Sequence, residues 1–143
     1  MVEKTFQLKL TFDDLGMEIP RGYIALDASF GKKKIRFVNT HLEALTGDPE
    51  VDAELEQLQA GQAMELIGAL QDETLPIIMV GDFNSPAPYG LTYQTILGAG
   101  FTDMWSINTF HYKGGGNTYG HDLDLLNSKV NFYERIDFVF SKS

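Results

Sequence analysis

The sequence predicts an α/β (α+β) domain built on a mixed, largely antiparallel sheet with helices on one side. Three observations carry this. Short segments of period-two apolar alternation fill the first forty residues, one long stripe of apolar residues at helical spacing follows, and two further apolar runs, Ile77–Val80 and Arg135–Phe140, come after it.

The first strand is expected from Phe6 to Phe12, where Phe6, Leu8, Leu10 and Phe12 alternate with polar residues. A turn follows at Asp13-Asp14. Residues 22–30 and 34–39 repeat the strand signal around a Gly31-Lys32 turn, so the opening of the chain reads as an antiparallel meander. Lys32, Lys33 and Lys34 sit at that turn as a solvated run. Asp48-Pro49 supplies a helix cap and a proline at the first helical position, and Glu50, Asp52 and Glu54 suit the positive end of the helix dipole. Leu55, Leu58, Ala63, Leu66, Ile67 and Leu70 then mark one face of a helix running to about Gln71.

Ile77-Ile78-Met79-Val80 is apolar without alternation, as expected of a strand covered on both faces or placed centrally. It ends at Gly81-Asp82-Phe83-Asn84-Ser85-Pro86, a composition that builds loops, at the end of a strand where sites are commonly assembled. A short helix is expected over Leu91–Leu97, a strand near Phe101–Trp105, a flexible loop at Gly114-Gly115-Gly116, and a last strand over Arg135–Phe140.

Composition bounds the function. The 143 residues fit one domain spanning 1–143, with 43% hydrophobic and 22% charged residues. The chain has no cysteine, which excludes disulfide scaffolds, thiolate metal sites and cysteine nucleophiles. A net charge of −9 works against non-specific binding to nucleic acid. No apolar stretch is long enough to span a membrane, and Met1-Val2-Glu3-Lys4-Thr5 lacks the apolar core of a secretory signal. The chain reads as soluble, with its compartment open.

Three stretches end expected strands with polar side chains: Val38-Asn39-Thr40-His41-Leu42, Val80-Gly81-Asp82-Phe83-Asn84 and Glu134-Arg135-Ile136-Asp137-Phe138. In this order and at these spacings, with Asp124-Leu125-Leu126-Asn127 before the last strand, they resemble the endonuclease/exonuclease/phosphatase superfamily of DNase-I-like metal-dependent phosphoesterases. The resemblance runs from Arg21 through Ser141.

It implies hydrolysis of phosphodiesters or phosphomonoesters by in-line attack of water, with Mg²⁺ or Mn²⁺, on a four-layered αββα sandwich. It also implies roles. His41 contacts the scissile phosphate, Asp82 positions the attacking water or handles a proton, Asn84 donates to a phosphate oxygen, and Asp137 orients a general-base histidine. Such donors answer the chemistry, because a phosphoryl transition state needs charge stabilisation more than a covalent partner. Asp82 is the single candidate metal ligand.

The family's metal-binding glutamate motif and closing Ser-Asp-His motif have no match here. The chain is therefore expected to form about half of the sandwich as a partial domain, inactive in isolation. Glu3, Glu18 and Glu43 do not sit where the missing glutamate belongs. The alternative is a non-catalytic folded fragment or degenerate relative acting as a binding module. The acidic balance favours a small-molecule or lipid-borne phosphoester substrate over bulk nucleic acid, and half a sandwich would expose a sheet face suited to a homodimer.

Blander roles are open at each position. Asp82 and Asn84 are good turn formers, and Asp137 could pair Arg135 as a structural ion pair. His111 and His121 are expected in solvent. Trp105, Phe110, Tyr112 and Tyr119 could pack in the core or line the substrate side.

Overall fold

A computed structural model describes residues 1–12, 15–108, 115–122 and 124–143. The Asp13-Asp14 turn, Phe110, His111, Tyr112 and Gly114 lie outside the described residues.

Six strands form one mixed sheet in the order β1-β4-β5-β6-β8-β7: Val2–Thr5, Gly22–Phe30, Lys33–His41, Ile77–Asp82, Asp137–Lys142 and Thr102–Asp103. Every pairing is antiparallel except β5 with β6. That parallel pair needs a long crossover, and helix α1, Pro49–Ala69, supplies it. Strands β2 (Leu10–Phe12) and β3 (Met17–Ile19) make a separate hairpin. Helix α2 covers Leu91–Gly98. Asp48 caps α1 by accepting from the N–H of Glu50 at 3.0 Å, with Pro49 opening the helix as expected. Gly31 turns β4 into β5 at φ +61°.

The expected strand from Phe6 to Phe12 is corrected. The chain leaves the sheet at Phe6, whose ring is buried and whose N–H reaches the carbonyl of Arg21. The N–H groups of Gln7 and Leu8 are then taken by the Glu65 carboxylate on α1, each at 2.8 Å. A side chain far along the chain thus satisfies backbone donors that a ladder would otherwise use. Strand β7 is shorter than the Phe101–Trp105 expectation, because Asp103 turns back to accept from the N–H of Trp105. The glycine-rich loop is also tighter than expected at Gly116, where an added Cβ would meet the Trp105 ring at 2.3 Å.

One face of the sheet is core. Ala25, Val38, Met79, Phe138 and Phe140 point to it and pack against Ala63 and Leu66 of α1, Leu70 at its C-terminal cap, and Tyr93 and Ile96 of α2. Phe83 sits edge-on to both Phe138 and Phe140. The other face carries Ile24, Leu26 and Val139, which are 41%, 36% and 47% exposed. Strand β6 is central, as expected, but it is not covered on both sides: Ile77 and Met79 are buried while Ile78 and Val80 are half-buried. No helix among the described residues is long and apolar enough to cross a membrane.

Candidate active site

Register decides where the polar strand ends meet. Gly22, His41, Asp82 and Asp137 are successive partners across β4, β5, β6 and β8. Directly paired residues share a sheet face, so His41, Asp82 and Asp137 form one polar row on the open face, at one end of the sheet. His41 Nε2 lies 3.6 Å from Asp82 Oδ2. Both side chains keep contact with solvent, His41 at 56% and Asp82 at 31% exposure.

The loop after β6 is built to present Asp82. Gly81 has φ +142°, and a Cβ there would meet the carbonyl oxygen of Thr40 at 1.9 Å, so the close approach of β5 and β6 at this point requires glycine. Asn84 takes a left-handed conformation at φ 49°. Its N–H donates to Asp82 Oδ1 at 2.8 Å, and its Nδ2 donates to the Leu42 carbonyl at 3.0 Å. The Asx-turn expected of Asp82 is therefore present, and it orients the carboxylate in the row. One amide hydrogen of Asn84 is bound to Leu42, which leaves its second for another acceptor.

The surroundings of Asp82 raise its pKa. Burial is the leading cause and the neighbouring Asp137 adds to it. The Asn84 N–H, His41 and Arg21 pull in the opposite direction.

Asp137 is exposed and does not pair with Arg135. Arg135 turns inward to Asp103 at 2.7 Å, in a buried group that includes the Tyr93 hydroxyl, and its guanidinium lies over the Phe138 ring. Thr118 Oγ1 accepts from the N–H groups of Ile136 and Asp137, each at 3.2 Å, fixing the start of β8. His121 is exposed beside Asn127 and lies outside the row.

The sequence reading missed three residues that support the row. Gln59, fully buried on α1, donates from Nε2 to the carbonyls of Glu43 at 2.8 Å and Asn84 at 2.9 Å. Gln62, also fully buried, accepts from the Glu43 N–H at 2.9 Å. One helix thereby ties the His41 loop to the Asp82 loop. Glu43 is buried with one carboxylate oxygen 3.1 Å from Arg21, which places a cation beside Gly22 in the same row. Two glutamines on the apolar stripe of an expected helix were the available signal.

A hard divalent cation takes about six oxygen ligands. Several of these can be water, so the protein's share is the carboxylates it gathers at one point. No three His, Asp or Glu side chains among the described residues gather around one point.

No family model matches the chain, and no curated protein matches it. Solved structures do. An endonuclease/exonuclease/phosphatase family protein from Leptotrichia buccalis is 18% identical with a TM-score of 0.62, over 99% of this chain and 50% of that one. A mannosyl-6-phosphatase from Bacteroides thetaiotaomicron is 18% identical with a TM-score of 0.58, over 86% and 43%. The D. rerio protein TDP2, solved with a single-strand DNA product, is 16% identical with a TM-score of 0.59, over 100% and 52%.

The chain therefore has the DNase-I-like fold of endonuclease/exonuclease/phosphatase proteins. It spans about half the length of the solved structures it matches.

Proposed function

We propose that the chain carries the phosphate-handling part of a divalent-metal-dependent phosphoesterase. The observation that supports this most is the cross-strand row of His41, Asp82 and Asp137, with Asn84 hydrogen-bonded to Asp82, at one end of a sheet of this fold. In the reading, His41 and the second amide hydrogen of Asn84 hold phosphoryl oxygens. Asp82 holds the water whose oxygen bonds to phosphorus as the bond to the alcohol oxygen breaks. Asp137 orients the histidine base that the resemblance implies. The names of two similar structures, a phosphatase and a protein solved with a DNA product, agree with phosphoester chemistry. The acidic balance favours small-molecule or lipid-borne phosphoesters over bulk nucleic acid.

Inorganic phosphate titrated into the chain, followed through the His41 ring and the Asn84 side-chain amide by NMR, tests the reading. Both signals are expected to move together, and the Asn84 signal to stop moving in His41→Ala. Phosphate that moves neither would refute it. Because the described residues assemble no shell for a hard cation, Mg²⁺ is expected to bind this chain only weakly and to sustain no hydrolysis of a simple phosphodiester. Calorimetry that finds a tight stoichiometric Mg²⁺ site would overturn that expectation.

A second reading, a non-catalytic binding module, draws on the open face of Ile24, Leu26 and Val139. A homodimer through that face is the form it takes.

A further inference from the structure

A cavity of about 450 Å³ opens beside the Asp82 loop, between residues 44–47 and a short arm made by residues 117–119 and 132–134. The arm is held by backbone bonds, from the N–H groups of Thr118 and Tyr119 to the Glu134 carbonyl and from Tyr133 to Tyr119. Asn84 belongs to both places, since it lines the cavity and also donates to Asp82 Oδ1. A ligand in the cavity is thereby one residue, Asn84, away from the row that holds Asp82.

The walls define a chemistry. Tyr119 and Tyr133 meet edge to face with ring centroids 5.7 Å apart, and they are 40% and 59% exposed. Leu45 and Pro86 add apolar surface. Aromatic rings held partly open in this way offer a flat surface for stacking. None of the described lining residues is Lys, Arg or His, so the cavity is a poor seat for a second phosphate. Of its two carboxylates, Asp52 is occupied by the N–H and hydroxyl of Thr46 and the N–H of Gly47. Glu134 remains to accept hydrogen bonds from a ligand.

We propose that this cavity seats the alcohol part of the phosphoester, a neutral ring that stacks on Tyr133, with Tyr119 set edge-on beside it, and donates a hydrogen bond to Glu134. The inference rests on the phosphoesterase reading and narrows it to ring-bearing substrates. A nucleoside and a hexose both satisfy this chemistry.

Binding of adenosine monophosphate, glucose phosphate and ringless glycerol phosphate to the full chain, with the tyrosine rings followed by NMR, tests it. At least one ring compound is expected to bind about tenfold more tightly than glycerol phosphate, in the range of one aromatic stack. Which of the two does so identifies the source of the ring. In Tyr133→Ala the ratio of ring to ringless affinity is expected to fall to about one, and in Tyr133→Phe to persist, since the stack needs the ring and not its hydroxyl. Tyr133 is on the surface, so its removal does not endanger the core. Equal affinity for all three compounds, or a ratio that survives in Tyr133→Ala, overturns the proposal. If neither inorganic nor glycerol phosphate binds, the phosphoesterase reading fails while the cavity is still decided by adenosine and methyl glucoside. Movement of the Tyr119 and Tyr133 signals with either one sustains the ring seat, and no movement with both overturns it.

Discussion

Asp82 stands between two demands. Its carboxylate is held by the Asn84 N–H and faces His41, yet burial and the neighbouring Asp137 make its ionised form costly. A carboxyl whose pKa is raised on folding binds its proton more tightly in the native state. The contribution of Asp82 to stability is therefore fully present below the usual aspartate value of about 3.9 and is lost as pH rises through the raised native value. Asp82→Asn keeps an oxygen for the Asn84 N–H and removes the charge. The variant is expected to gain stability over the wild type at neutral pH and to lose that gain in acid, as followed by urea denaturation across the pH range. A gain of equal size at every pH would show that the Asp82 charge is not the cause. Such a gain, with loss of the phosphate response, is the usual trade between stability and a working site.

At the scale of elements, α1 does two jobs. Its apolar residues Ala63 and Leu66, with Leu70 at its cap, close the core, and Gln59 and Gln62 on the same inward side bind the backbone of the motif loops. Gln59→Leu preserves approximate volume but leaves two carbonyls without their donor. The expected loss is on the order of 2 kcal/mol, measured by chemical denaturation. The Asn84 and His41 signals are expected to shift with it, whereas Leu66→Ala, which opens a cavity deeper in the core, destabilises without moving them. If both variants disturb the site signals equally, the helix supports the loops only through global stability. Strands β5 and β6 contribute through register alone. A slip of one residue would turn His41 or Asp82 onto the helix side of the sheet, and the close contact at Gly81 with Thr40 works against it.

For the whole molecule the consequence of the layer arrangement is the open face. Ile24 and Leu26 on β4 and Val139 on β8 lie on the side away from both helices, with Phe37 of β5 and Ile78 and Val80 of β6 half-buried between them. An apolar sheet face of this kind favours association. The chain is expected to dimerise in sedimentation experiments at micromolar concentration, and Val139→Lys, an exposed position on that face, is expected to return it to a monomer. A wild-type chain that stays monomeric throughout would show that the face tolerates water.

Much of this was legible before any coordinates. The long helix, its Asp48 cap, the central β6 strand and the polar ends of three strands follow from local signals, apolar periodicity, capping chemistry and glycine placement, which act over a few residues. The motifs also carried His41, Asp82, Asn84 and Asp137 as candidates. What local pattern does not contain is pairing between distant segments. Glu65 ends the first strand by taking donors more than fifty residues away, Arg135 chooses Asp103 over Asp137, and Gln59 joins two loops from a helix face that reads as core. Each is a long-range polar contact whose partner is selected by the folded sheet and not by neighbours in the chain. The sequence determined which residue types stand at the strand ends. Tertiary structure alone decided that one register brings three of them into a row, because only hydrogen-bonded pairing across four strands sets residues 22, 41, 82 and 137 side by side.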